Sequence, residues 1–311
     1  MDTKSWQVGD VSITCIIEQK MERQPEFGYR NLSTQQILEQ AWLKPNFATP
    51  DGKLISCIQA FVIESQNKRI IVDTCVGNDK PRRGNPAWNM LQSSFLEDLT
   101  AAGFERESID VVLCTHLHID HVGWNTMLVD GRWMPTFPNA QYLFGRTEWE
   151  HWSQGTADAI AGDVKMDIAE TVLDTPAVNQ DSIRPIIEAN LHELVEMDHQ
   201  ITEDVRLEPT PGHTPGHVSV TIASGGDRAV ITGDLMHHPI QCALPDVSSN
   251  FDHDVTRARD TRRDFLKRYA DGEILVLGTH FATPTVSSVT ATAGSFRSAK
   301  PRPVNRPIQL Q

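Results

Sequence analysis

No run of about 18 apolar residues occurs in this 311-residue chain, so nothing in it reads as a membrane-spanning helix. Its first residues, MDTKSWQVGD, lack the basic-then-apolar pattern of a secretory signal. The five cysteines (Cys15, Cys57, Cys75, Cys114 and Cys242) are scattered, odd in number and never in a CxxC pair. That argues against a disulfide framework and for a reducing, cytoplasmic setting. Positive charge is scarce too: 28 Lys and Arg against 41 Asp and Glu leave a net charge of −13. Such a surface repels polyphosphate, which excludes a basic nucleic-acid groove, and no membrane partner is indicated. What remains is a soluble globular composition, 39% hydrophobic and 22% charged, long enough to bury a full core.

Alternation at residues 8–17 predicts a strand. The following polar stretch with scattered aromatics, about 20–50, reads as a partly helical N-terminal extension. LISCIQAFVIES and KRIIVDTCVG predict two paired strands, and MLQSSFLEDLTAAGF a helix. IDVVLCT is a short buried strand, AQYLFG another, and RTEWEHW a helix. The pattern weakens over about 154–185, which suggests an insertion, and residues 183–198 read as helical after Pro185. VRLEPT, HVSVTIA, RAVITGD and EILVLGTH predict four more strands around the helix VTRARDTRRDFLKRYA. Residues 1–290 thus form one domain, two strand-rich halves with helices outside. The basic, proline-rich 291–311 reads as a flexible tail or an arm on a neighbour, which together with the extension leaves room for a homodimer.

The segment CTHLHIDHVGW places His116, His118, Asp120 and His121 within six positions, directly after an apolar run. His116 and His118, two apart in extended backbone, point the same way. Asp120 and His121 follow on a turn and can aim at a second point. One tetrahedral ion could not comfortably use all four from so short a loop, whereas two ions about 3.5–4 Å apart could. Further ligand types stand in similar settings: His213 after LEPTPG, Asp234 after AVITG and His280 after ILVLGT. Each lies past a strand-like run, so the loops would converge on one edge of a layered sheet. His151, His192, His199 and His253 read as ordinary polar residues, Cys114 as core and His217 as the opening of a strand.

THLHIDHVG, GHTPGH, TGD and GTH, in that order over roughly residues 55–285, closely resemble the metallo-β-lactamase-fold hydrolase superfamily. The resemblance implies an α/β fold, a four-layer αββα sandwich with a dinuclear site at the sheet edges. It implies one ion on His116, His118 and His213, a second on Asp120, His121 and His280, and Asp234 bridging. The ions would be two divalent cations, zinc first, with manganese, cobalt or iron(II) as alternatives. A hydroxide between them would be the nucleophile, with Asp120 or Asp234 handling the proton.

Fold does not settle the substrate. Zinc β-lactamases of the best-known class carry cysteine where Asp234 stands, the acidic charge disfavours RNA, and about thirty residues after His280 are too few for a glutathione-holding helical region. The ligand set looks like that of the N-acyl homoserine lactonases, and the length like the methyl parathion hydrolase group. The lactonases carry tyrosine three residues after the bridging aspartate; this chain has His237, a candidate acid or hydrogen-bond donor, with His238 a lesser one. Trp124 and Phe281, adjoining ligands, are the expected aromatic walls, with Trp88, Trp149 and Trp152 as lid candidates. No arginine or lysine adjoins a ligand motif. The expected substrate is therefore a small neutral ester, lactone or triester, cleaved by a lactonase- or esterase-like enzyme. A phosphotriesterase or hydrolytic dehalogenase acting on a xenobiotic is the alternative within enzymes. A non-catalytic metal-binding sensor or scaffold is the alternative outside them.

Overall fold

Residues 4–160, 175–292 and 295–299 are described by a computed structural model. Among them fifteen strands follow in chain order: β1 (Lys4–Val8), β2 (Val11–Arg23), β3 (Leu54–Ser65), β4 (Lys68–Val72), β5 (Val111–Leu113), β6 (Thr126–Val129), β7 (Arg132–Pro135), β8 (Gln141–Gly145), β9 (His192–Val195), β10 (Val205–Pro209), β11 (Val218–Ser224), β12 (Asp227–Ile231), β13 (Ile274–Leu277), β14 (Val286–Thr292) and β15 (Ser295–Ala299). One seven-stranded sheet has the order β1-β2-β3-β4-β5-β8-β9, a six-stranded sheet runs β10 to β15, and β6-β7 is a separate hairpin.

The apolar side chains sort into the layers. On β3, Ile58, Ala60 and Val62 face outward onto Phe95 and Leu99 of the helix Phe95–Ala101. Phe61 and Ile63, on the other face, meet Leu207, Val220 and Ile222 of the second sheet. A strand buried on both faces needs apolar residues at nearly every position, as β3 has. Beyond the second sheet, Val230 and Val276 pack on Phe265, Leu266 and Tyr269 of the helix Val255–Tyr269. That helix is capped by Asp254, which accepts from Arg257 N at 2.9 Å, and it carries Lys267 and Arg268 in its last turn. Helix, sheet, sheet and helix are the expected sandwich.

Strand direction then places the chemistry. β4 and β5 are parallel, as are β12 and β13, so within each sheet the carboxyl ends of neighbouring strands share an edge. Those ends deliver Asp73, His116, Asp234 and His280.

Three expectations change. The first strand region is a β1-β2 hairpin, and β2 continues to Arg23, into the stretch expected to open a partly helical extension. Its partner β3 is long enough to pair with it through Arg23–Leu54, and pairing overrides polar composition. Residues 183–198 are half helix: Arg184–Glu188 is helical, but β9 follows, because Leu194 and Val195 are taken up beside β8. In the C-terminal tail, 295–299 form β15 against β14, while 293–294 and 300–311 lie outside the described residues, as do 161–174 of the expected insertion. The segment 24–50 packs Tyr29, Leu32, Ile37, Leu43 and Phe47 over β3 and Ile240 in a cluster of its own. No helix among the described residues is long and apolar enough to cross a membrane, and all five cysteines are buried and free.

Candidate metal centre

Asp234 lies at the middle of the site, buried, and its two carboxylate oxygens face different partners. Oδ2 is 3.3 Å from His213 Nε2 and 3.7 Å from His116 Nε2. Oδ1 is 3.1 Å from His280 Nε2 and 3.3 Å from His121 Nε2. His118 completes the first group, with Nδ1 3.0 Å from His213 Nε2. Asp120 completes the second, its oxygens 3.7 Å from His121 and from His280. The ligand atoms of His116, His118, His213 and Asp234, and those of Asp120, His121 and His280, lie within 4.8 Å of one another in each group.

Local sequence explains this convergence. Gly233, at φ +55°, makes the turn that aims Asp234 inward, and a Cβ there would sit 2.6 Å from His217 Nε2. His217, just before β11, accepts from Asp234 N at 2.8 Å, so it holds the carboxylate's backbone. Arg262, buried in the long helix, donates to Leu235 O, Pro245 O and Val247 O and fixes the chain beyond.

The rings are aimed through their far nitrogens. His121 Nδ1 is 2.9 Å from Asp73, His213 Nδ1 3.0 Å from Asp252, and His280 Nδ1 donates to Cys57 O at 2.8 Å. Thr115 gives its hydroxyl proton to Asp73 and lies 3.0 Å from His116 Nδ1. Each of these four rings thus turns Nε2 to the centre. Glu148, fully buried, accepts from the backbones of Leu117 and Gly216 and from the Trp152 indole, tying two ligand loops to the helix Arg146–Ile160.

Buried polar atoms are normally paired. Here, among the described residues, His116 Nε2, His121 Nε2 and Asp234 Oδ1 have no hydrogen-bond partner, and all three face the space around the carboxylate. Burial, then the neighbouring histidines, holds His116 and His118 well below the usual range, so both stay neutral as ligation requires. Burial is the largest single influence on His121 and His280 and lowers both. The surrounding carboxylates, Asp234 first, with Asp73 and Asp120 at His121 and Asp120 at His280, together outweigh it and draw both up. Burial also opposes charge on Asp234, yet His121, His280 and His237 hold its carboxyl well below the ordinary value. A buried carboxylate ringed by imidazoles calls for positive charge at its centre. The donor set, imidazole and carboxylate without thiolate, fits two divalent ions of the zinc, manganese, cobalt and iron(II) group.

The model of the metallo-beta-lactamase superfamily matches residues 58–280, most of the chain. The chain belongs to that superfamily. N-acyl homoserine lactonases of Bacillus thuringiensis and Bacillus cereus are each 24% identical to it, over 198 and 186 residues respectively. Those alignments cover 60% and 56% of this chain and 66% and 61% of the relatives, just under two thirds of their length. Among solved structures, the hydrolase AbOPH of the beta lactamase superfamily superposes with a TM-score of 0.78 at 23% identity, over 96% of this chain and 97% of that one. AidC, described as a dizinc quorum-quenching lactonase in complex with a product, N-hexanoyl-L-homoserine, gives 0.74 at 19% identity, over 97% and 98%.

A pocket reaches the centre from outside. His118, Asp120, His213, Asp234, His237 and His280 form its floor, and Met21, Phe27, Tyr29, Leu54, Trp88 and Phe251 much of its wall. His237 Nε2 lies 3.2 Å from Asp234, its ring stacks on His280 at 5.7 Å, and Tyr29 meets it edge-on. His238 is occupied elsewhere: Nε2 donates to Phe47 O and Nδ1 accepts from Ile240 N.

The expected walls are not there. Trp124 is turned into the core because Gly123 packs against Val76, where a Cβ would come within 1.9 Å of a carbonyl. Its ring stacks on Phe95 and its indole donates to Glu18 at 2.6 Å. Phe281 is buried with Phe265 and Leu266, its ring filling the space where Gly278 lacks a Cβ. Neither lines the pocket. Trp88 does; Trp152 instead lies edge-on to His118 at 5.4 Å, behind the floor.

Sequence reasoning missed Asp73, Asp252, Glu148 and Arg23. Asp73 had a signal, since it follows the apolar RIIV as Asp234 follows AVITG. No arginine or lysine adjoins a ligand motif in the sequence, yet Arg23, from a distant strand, lines the pocket.

Proposed function

We propose that the chain is a dinuclear metal-dependent hydrolase of small neutral esters or lactones. One observation carries the reading: a buried carboxylate divides its two oxygens between two ligand groups at the floor of a largely apolar pocket. His116, His118 and His213 would hold one ion, Asp120, His121 and His280 the other, and Asp234 both. Bound there, the ions supply hydroxide at neutral pH and a Lewis acid for the scissile carbonyl.

The chain's own residues do the rest. Met21, Leu54, Trp88 and Phe251 exclude water and take the substrate's apolar body, at about 25 cal/mol per Å² buried. Burial pushes the His237 pKa down, so at neutral pH the ring is an uncharged donor. Its Nε2 faces Asp234 at 3.2 Å, and among the described residues its Nδ1 has no hydrogen-bond partner, which leaves one nitrogen to donate to the substrate's carbonyl or leaving oxygen. Asp120, whose side chain is 14% exposed, is the ligand carboxylate open to the pocket and can pass a proton outward. The five free thiols favour a reducing compartment, and we place the protein in the cytoplasm on that basis.

The test is a panel of a p-nitrophenyl ester, a γ-lactone, a phosphotriester and a penicillin on protein loaded with zinc or manganese. Ester or lactone turnover in the lead is the expected result. A leading phosphotriester would reassign the substrate at the same centre. No turnover at all with two ions bound would overturn the enzyme reading.

A further inference from the structure

Arg23 is the one arginine or lysine among the pocket's lining residues. It ends β2, where strand alternation puts it and Met21 on the same side, facing the pocket. Its guanidinium carbon lies 4.2 Å from the centre of the Phe27 ring and 5.6 Å from that of Trp88. Trp88 is itself anchored through its indole, which donates to Gln19 at 3.0 Å. Among the described residues no carboxylate comes within 4.0 Å of the Arg23 guanidinium, and it makes no hydrogen bond.

This differs from several surface arginines of the same chain. Arg69, Arg146, Arg184 and Arg263 each hold a carboxylate at 2.6–3.3 Å, although a more exposed cation needs a partner less. Arg23 is half-buried, lies against two rings and has its N–H groups unused. Aromatic faces attract a guanidinium from above and leave its donors, which lie in its plane, for oxygen acceptors. Asp120 is near enough to act on Arg23 electrostatically, but the two do not pair. Asp120 belongs to the ligand group, so the arginine's donors remain directed at whatever enters between wall and floor.

Resting on the hydrolase reading above, we propose that Arg23 is a substrate-specificity residue. Its in-plane N–H groups hold a second carbonyl oxygen, that of an amide or a further ester, on the part of the substrate remote from the scissile bond. Phe27 and Trp88 pack along the chain that joins the two carbonyls. The preferred substrate class is therefore a lactone or ester with a second carbonyl, not a plain alkyl ester of the same size.

The experiment compares two p-nitrophenyl esters of matched length, one with an amide carbonyl in its acyl chain and one without, on wild-type, Arg23→Ala and Arg23→Lys proteins. A hydrogen bond to a charged donor corresponds to a preference on the order of ten- to a hundredfold. The wild type should favour the amide ester by that ratio in kcat/KM, chiefly through KM. Arg23→Ala should bring the ratio close to one, and Arg23→Lys, which keeps the charge but loses the fork, should fall between. Calorimetric titration with two hydrolysis-resistant lactams, with and without the side-chain amide, should show the same collapse in affinity ratio. A ratio unchanged in Arg23→Ala, or no preference in the wild type, would overturn the proposal. Turnover of the plain ester by the wild type tests the hydrolase reading independently. If no ester is turned over, the lactam titration still decides the role of Arg23. Should Arg23→Ala fail to fold, Arg23→Gln provides the same comparison.

Discussion

The floor and the wall of the pocket are built on opposite terms. In the ligand cage at the floor and just beneath it, His116, His121, His213 and His280 are each fixed twice, by the strand-end loop that carries them and by a partner on Nδ1. The wall has little of this: Phe27 is 45% exposed, and the Pro25–Gly28 turn that presents it has no side-chain cap. A ligand cage must hold its atoms to within a fraction of an ångström, so it is built on rigid strand ends. A substrate wall has only to fit shape, and a loosely tied segment can change without disturbing the cage.

The largest expected effect comes from removing what the two ligand groups share. Asp234→Ala should cut bound metal from two ions per chain to one or fewer, read by elemental analysis after loading with excess zinc. An ion pair contributes several kcal/mol to the transition state, which at 1.36 kcal/mol per decade is a rate loss of roughly a thousandfold or more. Two ions retained at full rate would show that the carboxylate does not join the groups.

His237→Ala should come next, lowering kcat on the order of ten- to a thousandfold with metal content unchanged. Metal loss in that variant would make His237 a ligand or a support of the ligands instead of a donor to the substrate. Asp252→Asn should weaken the ion on His213 by about ten- to a hundredfold in affinity, because the amide no longer accepts as strongly from Nδ1. A competition titration with a coloured chelator reads that loss directly. An unchanged affinity would mean that the backbone alone aims the ring.

The same division decided what the sequence could tell. His116, His213, Asp234 and His280 were legible because an apolar run followed by a small residue and a polar one is a strand ending in a turn. Asp73 carried that signature too, though as an aspartate without a histidine motif beside it. Asp252 did not: it sits in a loop, and its role rests on 3.0 Å of approach to a residue 39 positions away. Arg23 and Phe27 were illegible for a related reason. They lie in a polar stretch whose structure is set by pairing with β3, and nothing local announces a pocket. Trp124 misled because adjacency along the chain was taken for adjacency in space. After His121 the backbone turns inward, with Gly123 N donating to Cys75 O and Trp124 N to Thr74 O, both at 2.7 Å.

On the wall itself, Phe27→Ala should cost little. The ring is half-exposed and its face lies on Arg23, so truncation loses part of one aromatic contact, worth about 0.5–1 kcal/mol at such a site. KM for the longer acyl esters should rise by roughly two- to fivefold, and kcat and metal content should hold. A fall in metal content would mean that wall and floor are not independent.

The smallest effect on turnover belongs to the residue that sequence adjacency assigned to the wall. Trp124→Phe keeps a ring to stack on Phe95 but removes the indole N–H that reaches Glu18. Glu18 is a half-buried carboxylate whose pKa burial pushes up, against its hydrogen bonds to Val76 N, Trp124, Ser93 and Gly77 N. Losing one of four donors leaves an acceptor less well satisfied, at about 1–3 kcal/mol. The variant should therefore unfold at a lower temperature or denaturant midpoint while kcat/KM for short and long esters keeps the wild-type ratio. If that ratio shifts while stability holds, Trp124 faces the substrate after all, and the wall reaches around behind the ligand loop.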